Sequence, residues 1–166
     1  MAQANIDQAL SLVAQHFAGV TDKDGEPYVM HCLRVMMGVD DPRAQLIGLM
    51  HDLVEDTSVT LDELRDLGFD DEVIEGVRLV THTSEDTYSE YVVRLKGNAL
   101  ARQVKLSDLR DNNAMNRVLF RYGSEQRDIQ RIQRYILTYQ FLTDRIDEDT
   151  YRHRMTSVDS RPNAND

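Results

Sequence analysis

Apolar residues recur along this chain with the three- and four-residue spacing of an α-helix. The first such series is Ile6, Leu10, Val13 and Phe17, which predicts a helix that Gly19 ends. No segment shows the alternating apolar and polar residues, with β-branched enrichment, that are typical of a strand. No internal repeat or linker divides the sequence. The pattern therefore predicts an all-α protein.

Capping signals place the boundaries of the later helices. Asp41 is a typical N-cap and Pro42 a typical first helical residue, so a third helix is predicted from there towards Asp56. Thr60 and Glu63 have the spacing of a capping box, which predicts a short helix after them. Beyond the first helix, we predict helices near residues 28–37, 41–56, 60–68, 70–81, 87–96, 99–119 and 125–146.

The bulk composition fits one folded domain. The chain has 166 residues, of which 41% are hydrophobic, and this is enough to bury a single core. We predict a domain over residues 1–156 and a disordered tail over residues 157–166, which are mostly polar. The sequence carries no signal for an oligomeric state.

Charge and cysteine content exclude several classes of partner. The formal net charge is −10, from 19 basic and 29 acidic residues, without a dense block of Lys and Arg. Binding to a phosphate backbone depends on such blocks, so nucleic acid is not an expected partner. The chain lacks a signal-peptide pattern and any apolar stretch long enough to cross a bilayer. Its single cysteine, Cys32, fits a reducing compartment, and we expect a cytoplasmic protein without a membrane partner.

A cluster of potential metal ligands lies in the segment HDLVEDT, residues 51–57. On a helix that continues to Asp56, one arc is apolar and the opposite arc is polar. The polar arc consists of His51, Asp52, Glu55 and Asp56. A solvated face is one interpretation of this arc. A functional site is the other, because Ala44 and Gly48 on the same arc suit the close approach of another element. A divalent metal would offset carboxylates that no nearby cation compensates.

One helix cannot complete such a site, so further ligands must come from other helices. His31 lies in the middle of the second helix, where a buried core histidine is the common alternative. Asp108 lies in VKLSDLRDN, where a surface acid is the common alternative. Lys105 and Asn112 lie three residues before and four residues after Asp108, and therefore share its helix face. This lysine, aspartate and asparagine could serve a metal and a phosphate together.

Three blocks of sequence, taken in order, resemble a known family. The blocks are KDGEPYVMH at 23–31, HDLVEDT at 51–57 and VKLSDLRDN at 104–112. Together they resemble the HD-domain metal-dependent phosphohydrolases. Within these, the chain is similar to the hydrolase half of the RelA/SpoT alarmone enzymes and to their short stand-alone relatives, over roughly residues 5–140. The resemblance implies an all-α HD-domain bundle and a pyrophosphohydrolase that acts on guanosine 3′,5′-bis(diphosphate).

The resemblance also implies a role for each matching residue. The implied metal ligands are His31, His51, Asp52 and Asp108. The implied catalytic residues, which position and activate water, are Glu55 and Asp56. The implied contacts with the phosphorylated nucleotide are Lys23, Lys105 and Asn112. Two imidazoles and two carboxylates leave open positions on an octahedral ion, and this mixed set suits Mn²⁺ or another first-row ion.

Two positions depart from the family pattern. Asp22 stands where the larger enzymes carry an arginine that can stack on guanine, and Cys32 stands where a proline is usual. The synthetase domain of the bifunctional enzymes has no counterpart in this sequence, so we expect hydrolysis alone.

Two alternatives stay open beside the alarmone hydrolase. One is an HD-superfamily phosphatase for another phosphorylated nucleotide, and the other is a non-catalytic nucleotide-binding HD module.

Overall fold

The computed structural model describes residues 5–115, 117, 123 and 125–159. Within these ranges the chain forms helices and one isolated bridge between Thr21 and Pro27, and no strand. The prediction of an all-α protein is confirmed. The helices, in chain order, are α1 (Ile6–His16), α2 (Tyr28–Met37), α3 (Pro42–Met50), α4 (Leu53–Asp56), α5 (Leu61–Asp66), α6 (Asp71–Val80), α7 (Tyr88–Lys96), α8 (Ala99–Asn112), α9 (Glu125–Leu142) and α10 (Glu148–Asp159).

The chain divides into two compact units between Asp111 and Asn112. In the first unit, α3 is central and packs against α1, α2 and α6. In the second unit, α9 packs against α10, and the rings of Phe141 and Tyr151 stack with their centroids 4.5 Å apart.

None of the helices within the described ranges combines the length and the apolar character that crossing a membrane requires.

The predicted capping signals are confirmed. The side chain of Asp41 accepts hydrogen bonds from the backbone N–H groups of Arg43 and Ala44, and Pro42 is the first residue of α3. Thr60 and Glu63 form a reciprocal capping box at the start of α5. These side chains satisfy N–H groups that a helix leaves without a partner in its first turn. Local sequence is therefore sufficient to start both helices.

The prediction of one continuous helix from Asp41 to Asp56 is wrong. The regular helix α3 ends at Met50, and the short helix α4 begins only at Leu53. The two residues between them form a turn, with Asp52 at φ −101° and ψ 0°. His51 and Asp52, the two polar residues of this turn, therefore lie outside the regular helices on either side. A helical wheel for an unbroken helix therefore does not describe the residues that follow Asp52.

Two other helix ends differ from the predicted ones, and one helix was not predicted. The helix predicted over 99–119 ends at Asn112, and residues 113–115 are not helical, while most of 116–119 lies outside the described residues. The helix predicted to reach residue 146 ends at Leu142, shortly before Asp144 with its positive φ of 58°. Helix α10 was not predicted, because few apolar residues mark its buried side. That side consists of Tyr151, Met155 and Val158.

Residues 157–159 of the predicted tail are helical. Helix α10 continues to Asp159, since Val158 extends its apolar stripe and is buried. Residues 160–166 of the predicted tail lie outside the described residues. The predicted domain over 1–156 stays a prediction.

Two close contacts hold together the helices that carry the site. Gly48 of α3 lies against α2 so closely that an added Cβ atom would be 3.3 Å from the backbone nitrogen of Met36. Ser107 of α8 donates a hydrogen bond of 2.8 Å to the carbonyl oxygen of Val35 in α2. Gly38 leaves room for this serine, because a Cβ atom there would overlap its hydroxyl oxygen. Small residues thus allow α3 and α8 to meet α2 at short range.

Candidate metal centre

Four side chains from three segments of the first unit converge on one point. The Nε2 atoms of His31 and His51 lie 3.2 Å apart. An oxygen of Asp52 lies 2.9 Å from Nε2 of His51, and an oxygen of Asp108 lies 3.4 Å from Nε2 of His31. Both histidines are 3% exposed and Asp108 is 6% exposed. The interpretations of His51 as part of a solvated face and of Asp108 as a surface acid are therefore wrong.

The Nδ1 atom of each imidazole, opposite the Nε2 atom that faces the cluster, makes a hydrogen bond that favours one orientation of the ring. Nδ1 of His51 lies 2.8 Å from the carbonyl oxygen of Gly48, which can only accept, so this nitrogen carries a proton. Nδ1 of His31 lies 2.6 Å from a carboxylate oxygen of Asp111, whose other oxygen accepts a bond from Nε of Arg34. In the neutral tautomers that these bonds favour, both Nε2 atoms direct a lone pair into the cluster.

The resulting set of donor atoms fits a cation. One ligand atom each from His31, His51 and Asp108 lies within 4.8 Å of the other two. Asp52 adds a second carboxylate on the same side of both rings, with an oxygen 3.7 Å from Nε2 of His31. Lone pairs and carboxylates at such distances repel one another unless positive charge lies among them. Nitrogen and oxygen donors in this proportion suit a first-row divalent ion. These residues could therefore hold a metal ion.

Tyr28 links the two acidic residues on either side of α4. Its hydroxyl donates to Oδ2 of Asp52 at 2.5 Å and lies 3.5 Å from Oδ2 of Asp56. Burial raises the pKa of the Tyr28 hydroxyl, and the nearby carboxylates raise it further, so the group stays a donor. Burial tends to raise the pKa of Asp52, but the neighbouring His51 and His31 together lower it below its ordinary value.

Lys105 and Asp108 form a buried ion pair beside the cluster. The Lys105 ammonium donates to Oδ2 of Asp108 at 2.8 Å, while Oδ1 of that carboxylate faces the histidines. Burial opposes both charges, but mutual attraction outweighs it, so the pKa of Asp108 lies well below its usual range and that of Lys105 well above. The ammonium also lies over the rings of Tyr88 and Tyr91, at 5.8 and 5.3 Å from their centroids.

Glu55 and Asp56 lie in α4 with exposed side chains. Oε2 of Glu55 accepts a hydrogen bond of 2.7 Å from the backbone N–H of His82. Burial among its neighbours raises the pKa of Glu55, and burial together with the charge of Asp52 raises that of Asp56. An accessible carboxylate with a raised pKa, held by one oxygen, is a reasonable proton acceptor.

The predicted roles of Lys23 and Asn112 in substrate binding stay predictions. Lys23 is half-buried in the loop between α1 and α2. Asn112 is the last residue of α8 and belongs to the second unit. Asp22 shapes the loop, because its Oδ1 atom accepts from the backbone N–H groups of Asp24 and Glu26.

Three contributors to the site were not predicted from the sequence. They are Tyr28, Asp111 and the backbone N–H of His82. Tyr28 was visible in the motif KDGEPYVMH, three residues before His31 and so on its helix face. Asp111 was visible three residues after Asp108 by the same argument. The backbone N–H had no signal in the sequence, since any residue type provides one.

Comparisons with known proteins support the resemblance. No protein-family model matches the chain. The GTP pyrophosphokinase of Streptomyces coelicolor is 28% identical over 144 residues, which cover 78% of this chain and 17% of that protein. The corresponding protein of Streptomyces antibioticus matches with the same identity and coverage. The chain thus spans about a sixth of the length of these curated relatives.

A solved structure shows the fold. A metazoan ortholog of SpoT, which hydrolyses ppGpp and plays a role in starvation responses, superimposes with a TM-score of 0.67. The match covers 95% of each chain at 19% sequence identity. The predicted resemblance to RelA/SpoT-type proteins, and the all-helical fold that it implies, are therefore confirmed.

Proposed function

We propose that this protein is a metal-dependent pyrophosphohydrolase that removes the 3′-diphosphate of guanosine 3′,5′-bis(diphosphate). The observation that carries the proposal is the convergence of His31, His51, Asp52 and Asp108, with both imidazole Nε2 atoms facing two carboxylates. The similarity to a ppGpp-hydrolysing protein and to two GTP pyrophosphokinases supports the choice of substrate.

The side chains around the centre divide the work of hydrolysis. A divalent ion, most suitably Mn²⁺, supplies Lewis acidity and lowers the pKa of water when it is bound by the four ligands. Glu55 accepts the proton of the attacking water. The backbone N–H of His82 donates to one oxygen of the Glu55 carboxylate and thereby orients it. Asp56, which lies near the hydroxyl of Tyr28, keeps the water in place.

Positive groups offset the charge of the substrate. Lys105 is fixed beside the centre by Asp108 and two tyrosine rings, so its ammonium is positioned to attract a phosphate oxygen. Lys23, in the loop before α2, and Asn112, one turn after Asp108, are the further substrate contacts that we propose. No covalent intermediate is required, because water attacks the phosphorus next to the ribose directly. The bond from that phosphorus to the 3′-oxygen breaks, and the 3′-oxygen leaves with the electron pair and takes up a proton.

Asp22 favours a second candidate, a phosphatase of the same superfamily for another phosphorylated nucleotide. A carboxylate cannot stack on a purine as an arginine does, and this one is committed to two backbone N–H groups of its loop. We therefore expect weak discrimination between guanine and adenine. The two candidates release different products, since one yields pyrophosphate and the other phosphate.

The test is a product assay on the full chain. The protein is stripped of metal, supplied with Mn²⁺, and incubated with matched guanosine and adenosine 3′,5′-bis(diphosphates). Pyrophosphate, phosphate and the remaining nucleotide are quantified separately. We expect pyrophosphate and nucleoside 5′-diphosphate in equal amounts, and no turnover in His51→Ala. Glu75→Ala, which removes only a surface partner of Arg78, is the control. Release of phosphate without pyrophosphate would favour the phosphatase, and no hydrolysis of either compound would refute the pyrophosphohydrolase.

A further inference from the structure

Asp111 contacts the candidate metal ligand His31 on the side of the ring that faces away from the cluster. Its Oδ2 atom lies 2.6 Å from Nδ1 of His31, and its side chain is 9% exposed. The residue lies one turn after Asp108 on α8, so the same helix supplies a candidate ligand and the group that supports a different ligand. Asp111 lies within the segment VKLSDLRDN, but it has none of the ligand, catalytic or substrate-binding roles proposed above.

Arg34 holds Asp111 in the orientation that this contact requires. Its Nε atom donates to Oδ1 of Asp111 at 2.6 Å, while the opposite carboxylate oxygen faces the imidazole. The terminal nitrogen Nη1 of Arg34 donates to Glu26 at 3.1 Å, in the loop that carries Lys23. Charge-assisted hydrogen bonds of this kind are shorter and stronger than neutral ones, and a guanidinium keeps its charge throughout the working pH range.

We propose that Asp111 is a positioning residue of the metal centre, and that Arg34 supports it. By accepting the Nδ1–H of His31, Asp111 fixes the ring so that Nε2 faces His51, Asp52 and Asp108. Its negative charge also makes Nε2 a stronger donor towards a cation. His51 achieves the same orientation with the carbonyl oxygen of Gly48, so the two imidazoles are set by different types of acceptor. The inference rests on the metal centre of the proposed function.

Metal affinity tests this role without reference to turnover. Binding of Mn²⁺ to the full chain is measured by electron paramagnetic resonance titration for wild type, Asp111→Ala, Asp111→Asn and Arg34→Gln. Removal of an outer hydrogen-bond partner typically costs about 10- to 100-fold in metal affinity. We expect a loss in this range for Asp111→Ala. Smaller losses are expected for Asp111→Asn, which keeps an acceptor oxygen, and for Arg34→Gln, which leaves Asp111 in place.

The control separates positioning from general stability. Asp70→Ala removes the side chain that caps α6 through the N–H of Val73, and it touches none of the candidate ligands through that bond. This variant should lose thermal stability and keep the wild-type affinity for Mn²⁺. Equal losses of affinity in Asp70→Ala and Asp111→Ala would show a purely structural effect and overturn the proposal.

A spectroscopic signature reports the contact itself. In metal-free wild type, the Nδ1–H proton of His31 should give a downfield, slowly exchanging resonance in NMR spectra, because a carboxylate accepts it at short distance. The resonance should disappear in Asp111→Ala and move upfield in Asp111→Asn. Wild-type affinity for Mn²⁺ in Asp111→Ala, or a retained resonance, would overturn the inference.

The outcomes distinguish this inference from the proposed function. Protein that binds Mn²⁺ with the expected order of affinities but hydrolyses no bis(diphosphate) would refute the substrate and leave the role of Asp111 supported. Wild-type protein that binds no Mn²⁺ would remove the metal centre, and the positioning role with it.

Discussion

Gly48 controls how closely α3 approaches α2, and we expect its replacement by alanine to perturb the candidate metal centre from outside. A Cβ atom at this position would lie 3.3 Å from both the Cα atom and the backbone nitrogen of Met36. No rotamer change relieves contacts with backbone atoms, so the helices must separate by a few tenths of an ångström. His31 lies on α2 and His51 directly follows α3, so the change acts on their 3.2 Å separation.

Two opposing terms set the effect of Gly48→Ala on stability. Insertion of a methyl group into a closely packed interface costs about 1–3 kcal/mol. Replacement of a glycine within a helix by alanine contributes about 0.5–1 kcal/mol in the other direction. The free energy of unfolding should therefore fall by roughly 1 kcal/mol, which lowers the melting temperature by about 2–4 °C in a chain of this size. Affinity for Mn²⁺ should fall together with stability, since the ligands move apart.

Gly97→Ala is the matched control. Gly97 ends α7 at φ −68°, and an added Cβ atom there has no neighbour within 4 Å. This variant should gain about 0.4–1 kcal/mol because alanine restricts the unfolded chain. Thermal unfolding in EDTA measures stability, and Mn²⁺ titration measures the centre. If Gly48→Ala gains as much stability as Gly97→Ala and binds Mn²⁺ equally well, the interface is not as close as described and the reasoning is refuted.

Three further predictions address metal, catalysis and substrate. Removal of metal with EDTA should lower the melting temperature and Mn²⁺ should restore it, because an ion at 100 times its dissociation constant adds about 2.7 kcal/mol to the folded state. An unchanged melting temperature in calorimetry would contradict a metal centre built from several helices. Glu55→Gln keeps the oxygen that accepts from His82 but loses the proton acceptor, so turnover should fall about 10²-fold or more with Mn²⁺ still bound. In wild type, activity should decline as pH falls through the raised pKa of Glu55, since only the ionised carboxylate accepts a proton, and a flat acid limb would contradict its role. Asp22→Asn keeps an acceptor for the loop and removes a negative charge, so KM for the bis(diphosphate) should fall at constant kcat, whereas a fall in kcat would place Asp22 in the catalytic step.

The helical class and the starts of several helices follow from the sequence alone. Helix periodicity, the N-cap Asp41 and the capping box of Thr60 and Glu63 are interactions between residues at most four positions apart. The contact between Lys105 and Asp108 has the same origin, because residues three apart on a helix are neighbours. Such features do not depend on the rest of the fold.

The chemical identity of the candidate ligands also came from the sequence, through the ordered motifs that carry His31, His51, Asp52 and Asp108. Their convergence could not be derived from periodicity. It depends on the close packing of α3 and α8 against α2. The continuous helix drawn on the wheel is also interrupted between α3 and α4. A helical wheel assumes an unbroken hydrogen-bond ladder, and only packing against neighbouring helices determines where this ladder ends.

Tertiary structure alone decided which groups support the ligands. Asp111 lies 80 positions from His31 in the sequence, and the N–H of His82 lies 27 positions from Glu55. These contacts exist because Gly48 and Ser107 bring α3 and α8 to short range of α2. Sequence determines which chemical groups are available, whereas close packing of distant segments determines which of them meet, because the energy of a hydrogen bond depends on distances that local patterns do not fix.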